Sequence, residues 1–279
     1  MLGLDPDPAA LWPSALEGAG GGDPAEETAA AVARHCRAAI EAAGSACVAV
    51  KPQLACFERL GAPGWRALEE TVAAAREHGL LVLADGKRGD VPVTAAAYAQ
   101  ALVGETEGPF GSVPGLGADA FTANPLLGRD ALEPLVAAAA AAGAGCFVLV
   151  RTSNPGAGEL QDSGEPPLHE RLARVAQELG AGHLGDCGLS CVGAVTGATS
   201  PALLARLREL MPRTIFLLPG VGAQGGRVED LGAAFAPHPA AGLVTASRSI
   251  VNAHAEPGGP PAEAAAAAAE ELRAAAWAL

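Results

Sequence analysis

A chain of 279 residues, half of them apolar, is long enough to bury a large core and fits one large α/β domain or two small ones. Its formal net charge of -13 argues against a nucleic-acid or anionic-membrane surface, but allows a local cationic pocket for one phosphate. No segment has the composition of a membrane span, and the N-terminus lacks a basic-then-apolar signal. We therefore predict a cytoplasmic protein with no nucleic acid and no membrane as partner.

Short apolar runs alternate with Ala-rich amphipathic segments along the chain, which is the pattern of a repeated strand-helix unit. The predicted strands are 1–5, 47–53, 80–85, 120–123, 146–151, 191–196, 215–219 and 242–246. The predicted helices are 25–43, 64–77, 93–103, 129–142, 168–179, 201–210, 227–235 and 262–276. Eight such units predict an α/β fold, a single (β/α)8 TIM barrel domain over residues 1–279, with a doubly wound open sheet as the alternative.

Two segments fit this pattern less directly. The Gly- and Pro-rich stretch 104–117 is predicted to be a loop that wraps the barrel, because strand-helix units continue on both sides of it. The almost pure alanine segment near the C-terminus could be a disordered tail, but its high helix propensity favours an outer-layer helix.

The cysteines and histidines do not indicate a metal or a disulfide scaffold. The six cysteines include no Cys-x-x-Cys pair, and the six histidines form no His-x-x-x-His motif. We predict ordinary reduced thiols and no metal site.

The segment 81–91 is the most informative part of the chain, because a short apolar run there delivers Asp85, Lys87 and Asp90 to one place. A strand alternates its side chains between two faces, so Asp85 and Lys87 are expected to point the same way, and a turn at Gly89 can bring Asp90 near the same ammonium. A surface salt-bridge ladder would look similar. These charges, however, stand where a buried parallel strand ends, which is where functional residues of such folds collect.

Polar residues also stand at the other predicted strand ends of this largely apolar chain. The set comprises Asp5, Lys51, Asp85, Lys87, Asn124, Ser153, Thr196, Gln224 and Arg248. Near the C-terminus, the Gly-rich segment 219–226 is followed one unit later by Arg248. Glycine backbone N–H groups, a helix N-terminus and an arginine fork together predict a phosphate site, which barrels commonly place at their seventh and eighth loops.

The chain resembles the orotidine 5'-phosphate decarboxylases, of the longer bacterial subgroup, over nearly all of its length. The motifs that carry the resemblance are Gly3-Leu-Asp-Pro6, Val50-Lys-Pro-Gln53, the Asp-x-Lys-x-x-Asp of Asp85, Lys87 and Asp90, Thr152-Ser-Asn-Pro-Gly156, Pro219-Gly-Val-Gly-Ala-Gln224 and Ser247-Arg-Ser249. Two departures are Gly86, where alanine is more usual, and Pro92-Val93 before Thr94. Neither removes a charged group.

This resemblance implies decarboxylation of orotidine 5'-phosphate to uridine 5'-phosphate by a homodimer with composite sites. It implies a catalytic charge network and a separate set of substrate contacts. The catalytic residues would be Lys51, Asp85, Lys87 and Asp90, with Asp90 reaching the partner subunit's site. Asp5 and Thr94 would contact ribose hydroxyls, Ser153 the pyrimidine, and Gln224 and Arg248 the phosphate.

No motif for a pyridoxal or thiamine cofactor is present, so we predict no cofactor and assign the chemistry to protein charges. An ammonium at Lys87 can stabilise the developing carbanion and then protonate C6. Two alternatives remain: a magnesium-dependent barrel enzyme acting on a sugar phosphate, and a catalytically idle paralogue that binds a nucleotide. Lys51-Pro-Gln53 speaks against the first and the intact charge row against the second.

Overall fold

A computed structural model describes residues 1–18, 20–222, 225–255 and 258–279. Its strands are β1 (Leu2–Leu4), β2 (Ala49–Pro52), β3 (Leu81–Arg88), β4 (Glu105–Gly108), β5 (Gly111–Pro114), β6 (Ala120–Ala123), β7 (Gly145–Arg151), β8 (Val192–Thr196), β9 (Phe216–Leu218) and β10 (Gly242–Val244). Its α-helices are α1 (Pro24–Ala43), α2 (Leu54–Glu58), α3 (Gly61–Glu77), α4 (Pro92–Val103), α5 (Arg129–Ala141), α6 (Ala157–Gln161), α7 (Leu168–Gly180), α8 (Pro201–Leu210), α9 (Arg248–Val251) and α10 (Pro261–Trp277).

Eight of these strands form one sheet in the order β1-β2-β3-β6-β7-β8-β9-β10, which is the order of the chain. Helices connect most of the successive strands. A doubly wound sheet would reverse its strand order at a switch point, and this sheet does not. The topology is that of a (β/α)8 TIM barrel, so the predicted fold class is confirmed.

The chain divides into two compact units, of which the first comprises Met1–Gly86 and Ala246–Trp277. In this unit Gly3 of β1 lies opposite Lys51 of β2, and Leu2 forms a bridge with Ala246. Gly3 is needed at its position, since a Cβ there would lie only 2.8 Å from the Cβ of Ser247. The missing side chain lets the segment that carries Arg248 pack directly against β1.

The helices of the first unit begin and pack as their sequences predict. Asp23 caps α1, because its carboxylate accepts hydrogen bonds from the backbone N–H groups of Ala25 and Glu26 at 3.0 and 3.1 Å. Helix α1 packs against both α3 and the alanine-rich α10. Buried alanines at positions 265 and 269 mark the packed face of α10, so the C-terminal segment is a helix as predicted.

The second unit comprises Lys87–Thr245 and Ala278–Leu279 and holds strands β6 to β10. Phe147 of β7 lies across Gly193 of β8, where a Cβ would come within 2.3 Å of the phenyl ring. The predicted helix 227–235 is a 3-10 helix, Val228–Phe235.

A buried arginine ties the second unit together. The Arg208 guanidinium donates hydrogen bonds to the carbonyl oxygens of Met211, Thr214 and Ala234 at 2.8, 2.7 and 2.6 Å. It also lies 3.7 Å over the ring of Phe216. Burial lowers the pKa of Arg208 to about 10, and the group stays charged at neutral pH. These bonds connect the end of α8 to the segments before and after β9.

The stretch 104–117 corrects the prediction of a plain loop. It contains the antiparallel pair β4 and β5, joined by Pro109 and Phe110 at the turn. The Phe110 side chain is fully exposed at the tip. The strands were not predicted because their residues are exposed on both faces and show no apolar alternation.

The predictions about the cysteines and about membrane-spanning segments can also be compared with the structure. The six cysteines are free thiols, as predicted. Across the described ranges, no helix combines the length and the apolar character that crossing a membrane requires.

Candidate active site

The centre of the candidate site in the first unit is a buried ion pair between Lys51 and Asp85. Lys51 Nζ lies 2.7 Å from Asp85 Oδ2, and the two side chains are 10% and 7% exposed. Lys51 is on β2, and Asp85 lies in the carboxyl-terminal half of β3. An ion pair withdrawn from water in this way contributes little net stability, because desolvation opposes the attraction. Its position at the strand ends therefore points to a role other than stability.

Two further side chains surround this pair. Gln53 Nε2 donates a hydrogen bond to Asp85 Oδ2 at 3.3 Å, and Asp5 Oδ1 lies 4.0 Å from Lys51 Nζ. Gln53 is held next to Asp85 by a bridge that continues the pairing of β2 with β3. Lys51 thus lies between a buried carboxylate, Asp85, and a more exposed one, Asp5.

Arg248 and Asp5 line a common cavity of about 40 Å³ within the first unit, together with Ser247. Arg248 is the first residue of the short helix α9, and its side chain is exposed. The cavity therefore brings together the predicted phosphate contact and one predicted ribose contact.

Trp12 holds the far end of α9. Its indole N–H donates to the carbonyl oxygen of Val251 at 3.0 Å, and its backbone N–H donates to Nδ1 of His35 at 3.1 Å. Burial, with a smaller contribution from His254, lowers the pKa of His35 to about 4, so Nδ1 remains an acceptor at neutral pH. Neither Trp12 nor His35 was predicted as a site residue, because no local motif marks a contact between residues so far apart in the chain.

In the second unit, Lys87 is the only non-glycine residue among those described that has a positive φ, at 49°. Its backbone N–H donates to Oγ1 of Thr122 at 2.8 Å, and the next carbonyl, of Arg88, accepts from the backbone N–H of Asn124 at 2.8 Å. A left-handed conformation costs a side-chain-bearing residue about 1–2 kcal/mol. Strand alternation therefore does not determine the direction of this side chain, contrary to the premise of the sequence argument.

Asp90 and Thr94 follow at the start of α4. Asp90 Oδ1 accepts a hydrogen bond from the backbone N–H of Val91 at 2.7 Å. Gly89 allows the chain to pass close to Asn124, since a Cβ there would lie 2.7 Å from that residue's carbonyl oxygen. Thr94 is an exposed residue in the first turn of this helix.

Ser153 and the Gly-rich segment complete the predicted set in the second unit. Ser153 is partly buried just after β7, and its Cα lies where a Cβ at Gly197 would come within 3.1 Å. The backbone turns back on itself after β9, with the N–H of Gly226 donating to the carbonyl of Gly220 at 3.0 Å. Gln224, the predicted phosphate contact in this segment, lies outside the described residues.

The structure thus brings Asp5, Lys51 and Asp85 together, and it places Asp5 and Arg248 on one cavity. Residues Lys87, Asp90, Thr94 and Ser153 belong to the second unit. The sequence argument did not identify Gln53 or Thr122 as contacts of the charged residues. A threonine inside the otherwise apolar strand β6 was the available signal for Thr122.

Comparison with known proteins gives the family. The family model for the orotidine 5'-phosphate decarboxylase / HUMPS family matches residues 2–272. An orotidine 5'-phosphate decarboxylase of Rhodopirellula baltica is 44% identical over 234 residues, which are 82% of this chain and 76% of that protein. One of Deinococcus radiodurans is 47% identical, over 84% of this chain and 82% of that protein.

A solved structure of Leishmania donovani OMP decarboxylase superposes with a TM-score of 0.73 at 32% identity, covering 99% of this chain and 93% of that one. The fold and the sequence therefore agree on one class of protein, the (β/α)8 barrel decarboxylases. The chain belongs to the orotidine 5'-phosphate decarboxylase / HUMPS family.

Proposed function

We propose that this protein is an enzyme that decarboxylates orotidine 5'-phosphate to uridine 5'-phosphate, the last step of UMP biosynthesis. The relatives named above support this activity. The single observation that carries the proposal is the buried contact between Lys51 and Asp85, with Asp5 on the other side of the Lys51 ammonium. Such a charge array suits a reaction in which negative charge moves from a carboxylate to a ring carbon and is then neutralised by a proton.

The proposed chemistry needs no cofactor. The bond between C6 and the substrate carboxylate breaks, carbon dioxide leaves, and the electron pair stays on C6 in the plane of the ring. The Lys87 ammonium stabilises this carbanion and transfers a proton to C6, after which the neutral amine takes up a proton from water. The left-handed backbone at Lys87 is consistent with this role, because strained conformations cluster at active sites.

Repulsion between Asp85 and the substrate carboxylate is a second proposed contribution. Two like charges at ~4 Å with an effective dielectric near 20 repel by about 4 kcal/mol, which is worth about a thousandfold in rate. The Lys51 ammonium at 2.7 Å from Asp85 offsets part of this repulsion. Carbanion stabilisation by Lys87 and binding energy from the phosphate must therefore supply the larger share.

Substrate binding is assigned by the nature of each side chain. We propose that Arg248 and Gln224 bind the phosphate, that Asp5 and Thr94 contact the ribose hydroxyls, and that Ser153 contacts the pyrimidine. Arg248 is exposed and lines a cavity with Asp5, which supports the phosphate role of Arg248 and the ribose role of Asp5. Arginine is suited to phosphate because its fork of donors matches the phosphate oxygens.

The proposal includes a homodimer in which Asp90 serves the partner subunit's site. The neighbouring apolar side chains support this, since Val91 and Val93 are 55% and 84% exposed. Apolar side chains exposed together are typical of an interface. The proposal also includes a cytoplasmic location, where free thiols such as these are kept reduced.

The ultraviolet absorbance of orotidine 5'-phosphate tests the activity. We expect its complete conversion to uridine 5'-phosphate at an unchanged rate in excess chelator. Inhibition by the chelator that added magnesium reverses would overturn the proposal and favour the sugar-phosphate alternative. Tight binding of uridine 5'-phosphate with no turnover would instead indicate an idle nucleotide-binding paralogue.

A further inference from the structure

The loop after β7 is held by side chains that have no assigned role. This loop, residues 152–156, carries Ser153 and leads into the short helix α6. The inference below concerns how Ser153 is positioned, and it rests on the proposed contact between Ser153 and the pyrimidine.

One carboxamide, that of Gln161, holds the residue before Ser153 at two points. Gln161 Oε1 accepts a hydrogen bond from the backbone N–H of Thr152 at 2.8 Å, and Gln161 Nε2 donates to Thr152 Oγ1 at 3.0 Å. The residue after Ser153 is held through the same hydroxyl, because Thr152 Oγ1 donates to Asn154 Oδ1 at 2.7 Å. Ser153 therefore lies between two neighbours that Gln161 fixes, one directly and one through Thr152.

Gln161 is itself held in place. It is the last residue of α6, and its carbonyl oxygen accepts a hydrogen bond from His169 Nδ1 at 2.8 Å. The next residue, Asp162, forms a two-point ion pair with Arg151, the last residue of β7, at 2.8 and 3.0 Å. The Arg151 guanidinium lowers the pKa of Asp162, which keeps this carboxylate charged at neutral pH.

Ser153 is also confined from the other side. The backbone N–H of Gly197 donates to the carbonyl oxygen of Arg151 at 2.7 Å. A Cβ at Gly197 would come within 3.1 Å of the Ser153 Cα, so the two backbones are in close contact. The loop is thus clamped between the end of β8 and the carboxamide of Gln161.

We propose that Gln161 is a positioning residue for pyrimidine recognition, which orients Ser153 towards the base without touching the substrate. Loss of the carboxamide removes two hydrogen bonds to Thr152 and frees the loop to adopt other conformations before a ligand binds. When a site is in its binding conformation for only a fraction of the time, its apparent affinity falls in proportion to that fraction. The affinity should decrease for ligands that carry the base and should stay unchanged for ligands that carry only the sugar phosphate.

Gln161→Ala tests this with two ligands, uridine 5'-phosphate and ribose 5-phosphate, measured by calorimetry. We expect about tenfold weaker binding of uridine 5'-phosphate, which corresponds to about 1.4 kcal/mol, and an affinity for ribose 5-phosphate within about twofold of wild type. KM for orotidine 5'-phosphate should rise by more than kcat falls. Glu159→Ala, which removes an exposed side chain from the same helix, is the matched control and should change neither affinity.

Gln161→Glu is a second variant that separates positioning from folding. The glutamate keeps an acceptor for the Thr152 N–H and loses the amide donor, so its loss of uridine 5'-phosphate affinity should be smaller than that of Gln161→Ala. Unchanged affinity in Gln161→Ala, or equal losses for both ligands, would overturn the inference while leaving the proposed function intact. A wild-type protein that neither binds uridine 5'-phosphate nor turns over the substrate would overturn both.

Discussion

The Lys51 ammonium lies 2.7 Å from the Asp85 carboxylate, and both side chains are almost fully buried. Each charge satisfies the other, so neither can be removed alone without leaving an unpaired charge away from water. The pair joins β2 to β3 at the point where the predicted catalytic residues begin. Its contributions to stability and to catalysis can be separated by experiment.

The first prediction compares single and double substitutions of the Lys51–Asp85 pair. Lys51→Met or Asp85→Leu alone should lower the free energy of unfolding by about 3–5 kcal/mol, because one buried charge loses its partner. The double variant Lys51→Met/Asp85→Leu should recover most of that stability, since two apolar side chains of similar volume replace the pair. Urea unfolding measures the stability, and all three variants should lack decarboxylase activity.

A double variant that regains activity together with stability would contradict the catalytic role of the pair. As a control, Arg66→Met breaks the exposed ion pair with Glu26 and should leave both stability and activity nearly unchanged.

The second prediction concerns the phosphate. Arg248→Ala should weaken binding of the transition state by about 2–5 kcal/mol, because charge-assisted hydrogen bonds to a dianion disappear. The measurement is kcat/KM for orotidine 5'-phosphate and for orotidine, which lacks the phosphate. Wild type should use orotidine poorly, and the variant should use it almost equally poorly.

An equal decrease in kcat/KM for the two substrates would show that the phosphate binds elsewhere. Arg273→Ala, on the outer helix α10, is the control for removal of an arginine and should not affect either substrate.

The third prediction is a pH dependence of stability that comes from His35. Its pKa is about 4 in the folded chain and 6.5 ordinarily, so as pH falls from 6.5 to 4 the unfolded chain binds a proton that the folded chain does not. The imidazole should therefore cost nothing above pH 6.5 and up to about 3 kcal/mol of stability by pH 4. Urea unfolding of wild type and His35→Asn between pH 4 and 8 measures this contribution.

The asparagine oxygen can still accept the Trp12 N–H, so the variant removes the titration and keeps the acceptor. His183→Asn, at an exposed position, should retain the wild-type pH dependence. An identical acid loss of stability in wild type and His35→Asn would refute the assignment.

The fourth prediction tests the composite site. Lys87→Ala and Asp90→Ala proteins, each inactive alone, should regain activity when mixed, because some heterodimers carry one site with both native residues. Subunit exchange is verified separately by mass spectrometry. Lys87→Ala mixed with Lys51→Ala is the control and should stay inactive, since every site then lacks one residue supplied by its own chain. No recovery despite exchange would mean that Asp90 serves its own subunit.

Much of the fold could be predicted from the sequence, because a buried parallel strand and an amphipathic helix each impose a regular apolar pattern. All eight barrel strands lie at or next to their predicted positions. Strand β3 is the informative exception, since it continues three residues beyond the predicted end at Asp85 and includes the left-handed Lys87. Local propensity does not predict a strained conformation that the surrounding structure imposes.

The site could be predicted only in part, because its contacts depend on strand register and loop conformation. The sequence placed Asp85 beside Lys87, but the register of β2 against β3 is what brings Lys51 and Gln53 to Asp85. Gln161 forms hydrogen bonds with Thr152, nine positions earlier, across a loop that has no regular pattern. The apolar periodicity of the sequence does not indicate such a contact.

Substitution of Lys87 is the most direct test of the claim that protein charges alone perform the decarboxylation. We predict that Lys87→Ala and Lys87→Gly lower kcat for orotidine 5'-phosphate by at least about 10⁴-fold, because the carbanion loses both its stabilising charge and its proton donor. Lys87→Gly should be at least as stable as wild type, since glycine adopts a φ of 49° without strain. A folded Lys87→Gly protein that keeps a tenth of the wild-type turnover would contradict the account.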